Sequence, residues 1–88
     1  MLKIHRTSQF KKDYKKAIKS GKPINLLVEI IEKLANRETL PKKYRDRNLS
    51  GNYTNFRECH IQPDWLLIYK YDRETLYLTR LGSHSDLF

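Results

Sequence analysis

Leu2 to Arg6 alternates apolar and polar residues, the period of a short half-buried strand. Thr7 or Ser8 then offers an N-cap for a first helix. Phe10, Tyr14, Ala17 and Ile18 follow at i, i+4, i+7 and i+8, which gives one apolar face. Lys11, Lys12, Lys15, Lys16 and Lys19 fill the opposite side. Gly21 is the natural stop, since glycine accepts the left-handed conformation past a helix end. Pro23 marks a second start. Ile24, Leu27, Val28, Ile31, Leu34 and Ala35 keep helical spacing, and Leu26 and Ile30 widen that face. This helix should be buried more deeply than the first. The short link between the two predicts an antiparallel pair.

After Pro41 and a turn-rich run to Gly51, the period changes to two. Phe56–Ile61 reads as a strand, and Gln62-Pro63-Asp64 as a turn, because proline fixes φ and lacks a ladder donor. Trp65–Tyr71 is the strongest strand, and its nearly unbroken apolar run predicts a central position covered on both faces. Asp72-Arg73-Glu74 turns back into Thr75–Leu81, with Leu76, Leu78 and Arg80 expected on one side. Gly82 ends that strand. The predicted order is β-α-α-β-β-β. This is an α+β domain spanning 1–88, with two antiparallel helices on one face of a four-strand antiparallel sheet.

At 88 residues there is room for one modest core and a surface site. The formal charge is +8 and it is uneven. Residues 1–45 hold 13 Lys/Arg against 4 Asp/Glu, whereas residues 46–88 hold 5 against 6. A field concentrated in one half draws polyanions, which points to nucleic acid. Lys11, Lys15 and Lys19 lie off the apolar face and are candidate phosphate contacts. The single cysteine, Cys59, permits no internal disulfide and fits a reducing cytosol. No apolar run is long enough for a membrane span. There is no CxxC, HxxxH or carboxylate cluster, so no metal is indicated.

The near-neutral half carries the candidate chemistry. Pairing across the 62–64 turn brings His60 near Asp64 and Trp65. The final strand returns Arg80 to Gly82 to the same edge, with His84 just beyond. Two imidazoles, a carboxylate and a guanidinium suit RNA cleavage by transesterification. The ribose 2′-OH must lose a proton, the phosphorane gathers negative charge, and the 5′-oxygen must gain a proton. Arginine presents a fork of donors to phosphate. Trp65 or Phe88 could stack on an unpaired base. Glu58 shares the alternation of Phe56 and His60, as a base or a surface acid.

The phrase Leu49-Ser50-Gly51, the run Phe56 to Tyr69 containing His60-Ile61-Gln62-Pro63-Asp64-Trp65, and the terminus Arg80-Leu81-Gly82-Ser83-His84-Ser85-Asp86-Leu87-Phe88 together resemble the YafQ-like branch of the RelE/ParE toxin superfamily. The resemblance implies a metal-independent endoribonuclease, the toxin of a type II toxin–antitoxin pair, that cuts mRNA on the ribosome. It implies roles in cleavage for His60, Asp64, His84 and Phe88, with Trp65 beside them. Arg80 matches a phosphate-facing arginine, and Glu58 an active-site acid of some members. The partners implied are a cognate antitoxin, mRNA and the ribosome. One departure stands out. Where that branch commonly reads Asp-His-x-Leu, this chain has Asp46-Arg47-Asn48-Leu49. Arg47 stays protonated and can bind phosphate but cannot act as a base.

On this reading His60 or Asp64 takes the 2′-OH proton and His84 protonates the leaving oxygen, roles the sequence leaves interchangeable. Two rivals remain, a ParE-like gyrase poison and an RNA-binding module without catalysis.

Overall fold

The computed structural model describes Met1–Phe88. Five strands and three helices follow the order β1 (Lys3–Arg6), α1 (Ser8–Lys19), α2 (Ile24–Ala35), β2 (Arg47–Asn48), β3 (Arg57–Gln62), β4 (Trp65–Tyr71), β5 (Thr75–Gly82) and α3 (His84–Leu87). Short 3₁₀ turns at Lys42–Tyr44 and Gly51–Tyr53 flank β2. The strands form one sheet in the order β1-β5-β4-β3-β2, with β4 in the middle as its apolar run predicts.

Two expectations are corrected. The sheet has five strands, because Arg47 and Asn48 pair antiparallel with Glu58 and Arg57. A two-residue strand in a turn-rich segment carries no period. The sheet is also mixed, because β1 pairs with β5 in parallel. Alternation within a strand places its faces but says nothing of its partner.

Local signals set the helix ends. The Thr7 hydroxyl accepts the Phe10 amide at 3.0 Å, so Thr7 is the cap. Past α1, Gly21 has φ +74°. Its amide donates to Ile18 and that of Lys22 to Ala17, a Schellman closure that needs the left-handed residue. At the end of α2 a non-glycine residue, Arg37, fills the same role at φ 58°. Its guanidinium donates to the carbonyls of Asp72 (3.0 Å) and Arg73 (2.7 Å), tying the helix end to the β4–β5 turn.

The core lies mainly between the helices and one face of the sheet. Phe10 and Ala17 of α1 and Leu27, Ile30, Leu34 and Ala35 of α2 are buried there. Against them pack Cys59, Trp65, Leu67, Tyr69, Leu76, Leu78 and Leu81. α2 is the more deeply buried helix, although its Val28 is exposed, as is Ile18 of α1. The other face of β4 carries Leu66 and Ile68, covered by Leu87 of α3 and by Leu49, Tyr53 and Phe56. From Trp65 to Tyr69 the central strand is therefore dry on both sides.

A bulge in β5 decides where one candidate residue points. Ile68 faces Arg80, but Tyr69 faces Leu78, so Thr79 is the extra residue. One inserted residue reverses the alternation. Leu76, Leu78 and Leu81 all lie on the helix side. Arg80, opposite Ile68, does not share a side with Leu76 and Leu78 as strict alternation predicts. It is turned to the opposite face.

Candidate active site

That second face collects the chemistry. Register partners share a face, so Glu58 beside Ile68 and His60 beside Leu66 lie with Arg80 and opposite the helices. Cys59, between Glu58 and His60, points into the core, where burial pushes its thiol up and makes it inert. α3 brings in the last groups. The Ser83 hydroxyl accepts the Asp86 amide and the Asp86 carboxylate accepts the Ser83 amide, a reciprocal box that closes this single turn.

His84, the first residue of α3, lies directly over the Pro63-Asp64 turn. Asp64 Oδ1 accepts both the His84 backbone amide at 2.9 Å and its ring Nδ1 at 2.7 Å. The backbone bond first, and then the ring, hold the Asp64 carboxyl below its ordinary range, so it is a carboxylate at neutral pH. The pair fixes the imidazole with Nδ1 as the donor, which leaves Nε2 as the reactive nitrogen. The His60 and His84 ring centroids are 5.4 Å apart.

His60 faces an acceptor at each nitrogen. Nδ1 lies 3.4 Å from the Pro63 carbonyl and Nε2 lies 3.4 Å from Glu58 Oε1. Glu58 is fully buried, which corrects its reading as a surface acid. Its Oε1 also accepts from Arg47 Nε at 2.8 Å, whereas its Oε2 is buried without a partner. Arg47 sits across the ladder from Glu58 with its side chain 68% exposed. The carboxylate thus anchors the stem of the guanidinium and leaves its outer nitrogens to solvent.

Arg80 is partly covered and bound to α1. Its Nε donates to Asp13 Oδ2 at 2.9 Å, and the Leu81 amide shares that oxygen at 3.0 Å. Asp13, with Tyr53 nearby, holds the guanidinium above its ordinary pKa. Tyr53 in turn lies 5.6 Å from Phe88, ring to ring, and Phe88 lies 6.5 Å from His84. Phe88 is 61% exposed at the rim.

The structure brings His60, Asp64, His84, Glu58, Arg47 and Phe88 together, and sets Arg80 on the same face of the sheet, held by Asp13 of α1. It does not bring Trp65. That ring is 2% exposed in the helix-side core, on the far face from His60, so the expectation that it stacks on a base is corrected. Lys11, Lys15 and Lys19 are exposed along α1. No group of three or more His, Cys, Asp or Glu side chains is arranged to hold a metal ion. Sequence reasoning missed Asp13 and Tyr53. Asp13 is the one acid in the lysine-rich α1, and Tyr53 is an aromatic in a polar turn; each was a usable signal.

The model of the family described as the bacterial toxin of type II toxin–antitoxin system, YafQ, matches residues 2–88. The chain belongs to this family. It is 38% identical to the mRNA interferase toxin YafQ of Escherichia coli K12, over 97% of this chain and 94% of that protein. A copper-bound mutant toxin from Helicobacter pylori superposes with a TM-score of 0.96 at 42% identity, each chain covered completely. YafQ in the E. coli DinJ–YafQ toxin–antitoxin complex superposes at 0.92 with 38% identity, over 99% of this chain and 97% of that one. Five strands in a mixed sheet with three helices is therefore the YafQ fold.

Gly82 leaves room for the Asp86 side chain that closes α3. A Cβ there would meet Asp86 Cβ and Oδ2 at 3.0 Å. Gly82→Ala should displace the turn that carries His84. Activity should fall by up to about 10²-fold, the scale of a misplaced catalytic group. Stability should fall by only about 1 kcal/mol, the worth of a cap. Cleavage kinetics beside a thermal melt would check this, and loss of both in proportion would count against it.

Proposed function

We propose that this YafQ-family toxin is a ribosome-dependent mRNA interferase, an endoribonuclease that cleaves by attack of a ribose 2′-oxygen on the adjacent phosphate. The observation that carries this reading is the His84–Asp64 pair facing His60 across 5.4 Å. His84 Nε2 takes the 2′-OH proton, and Asp64 stabilises the imidazolium that forms, as an orienting carboxylate does elsewhere. The 2′-oxygen bonds to phosphorus and the bond to the 5′-oxygen breaks. His60 donates the proton to that leaving oxygen. Its ring faces that of His84 across the space where the phosphate would sit, which is the place of the second proton carrier. This exchanges the roles first expected and makes Asp64 an orienting group. Arg47, through its free outer nitrogens, and Arg80 stabilise the phosphorane. Phe88 stacks on a base. The substrate places the toxin in the cytoplasm, with a cognate antitoxin to silence it. No helix is long and apolar enough to cross a membrane.

The test is cleavage of mRNA on programmed ribosomes with the scissile 2′-OH replaced by hydrogen. Cleavage should be abolished, and the natural product should carry a 2′,3′-cyclic phosphate and a 5′-OH. A 5′-phosphate product would refute the mechanism.

Lys11, Lys15 and Lys19 are assigned to ribosomal or messenger RNA outside the cleft. Reversing all three charges should weaken ribosome association. It should also flatten the slope of log K against log salt by about 2, the expected share of three phosphate contacts to single-stranded RNA. The melting curve should barely move, because these side chains are exposed and make no ion pair or side-chain hydrogen bond. An unchanged salt slope would remove them from the interface. The antitoxin should bring an acidic segment to this face, the cleft or both.

A further inference from the structure

A second basic surface adjoins His60 on the side away from His84's helix. β2 pairs only with Arg57 and Glu58, so the β3 edge beyond them has no strand neighbour. A groove of about 330 Å³ opens there, lined by Leu26, Lys43, Arg45, His60, Gln62 and Pro63 among others. It lies between the 3₁₀ turn Lys42–Tyr44, α2 and the Pro63 turn, and His60 forms part of both the groove and the candidate active site.

Its cations lack carboxylate partners. Asp46, the neighbouring acid, is occupied by Arg57 (2.9 Å) and by the Tyr69 hydroxyl. Lys43 makes no ion pair, its ammonium lying 5.0 Å over the Tyr44 ring. Arg45 is exposed, and neither an ion pair nor a side-chain hydrogen bond engages it. It holds the left-handed conformation at φ 48°, ψ 44°, which a bulky residue seldom adopts. Gln62 adds an amide able to donate to or accept from a base edge. Unpaired cations, a neutral amide and an apolar floor at Leu26 fit a single-stranded nucleotide and its phosphate.

We infer that this groove is a second nucleotide subsite, in which Lys43 and Arg45 hold the phosphate of a residue flanking the scissile one while Gln62 meets its base. The inference rests on the reading above for the position of the scissile phosphate. It makes Lys43, Arg45 and Gln62 binding residues rather than catalytic ones.

The experiment titrates the isotopically labelled full chain with non-cleavable 2′-O-methyl oligonucleotides, a dinucleotide and a tetranucleotide, and follows its amide resonances. The dinucleotide should move His60, His84 and Phe88. The tetranucleotide should move Lys43, Arg45 and Gln62 as well. Lys43→Glu with Arg45→Glu should weaken the tetranucleotide at least tenfold and the dinucleotide less than twofold. Lys43→Gln with Arg45→Asn is the milder pair, since asparagine tolerates the left-handed region; it should show the same order. Groove amides that stay still with the tetranucleotide would overturn the inference, as would equal losses for both oligonucleotides, or a groove that responds only to an acidic peptide. Shifts at Lys43, Arg45 and Gln62 without any response at His84 or Phe88, which lie outside the groove, would support the subsite and refute the cleavage reading instead.

Discussion

Replacing His84 with alanine should slow single-turnover cleavage of mRNA on programmed ribosomes by roughly 10²–10⁴-fold, the usual contribution of a positioned acid or base. His60→Ala should fall in the same range. Ribosome association should change little in either variant, because neither ring belongs to the lysine-rich field of α1. Asp64→Asn tests the orienting role separately. Its amide can still accept one bond but cannot stabilise the imidazolium, so the rate should fall while the fold persists. Asp64 is exposed, its side chain 67% accessible, and its side-chain hydrogen bonds are confined to His84, so little stability is at stake. Because the Asp64 pKa is depressed, its contact with His84 is present above the ordinary carboxylate range and is lost as pH falls through the folded value. Unchanged rates in both histidine variants would leave transesterification without its proton carriers. Growth arrest that persists without mRNA cleavage would direct attention to a gyrase-poison activity.

Much of this site was legible because it lies at one sheet edge, and strand order alone brings the Pro63-Asp64 turn and the end of β5 together. The alternation Glu58–His60 also placed both side chains on one face, with Cys59 on the other. Alternation failed at Arg80, where the bulge at Thr79 adds one residue to β5. Composition does not reveal such an insertion, because it is chosen by pairing with β4. β2 and α3 were missed for a related reason. Each is too short to show a period, and each exists through contacts made elsewhere: Arg47 with Glu58 in one case, His84 with Asp64 in the other. The departure at Arg47 was visible at once, but its consequence was not. Only the geometry shows its Nε spent on a buried carboxylate and its outer nitrogens free.

Trp65 is where motif and packing part company, and its substitution should have the largest effect on stability. The motif sets it beside Asp64, which invites a role in stacking on a base. The packing puts the indole in the core with Leu67 and Tyr69, facing the helices. Trp65→Ala should therefore cost about 3–5 kcal/mol, the lost transfer of a large ring plus the cavity left behind. A domain of this size has roughly 4–13 kcal/mol in total, so the variant should melt well over 10 °C lower or fail to fold at growth temperature. Trp65→Phe separates the two roles. It keeps an apolar ring in the same space, so it should recover most of the stability. Cleavage per folded molecule should stay within a few-fold of wild type, because no reacting group faces this side of the sheet. Phe88→Ala should show the opposite pattern: the ring is exposed, so stability should hold while substrate affinity falls by about 1–3 kcal/mol, the worth of one stacked base. Thermal melts and single-turnover kinetics on the three variants would decide the matter. A Trp65→Phe protein that melts like wild type yet loses cleavage tenfold or more would return the indole to the substrate and require the core to open when RNA binds.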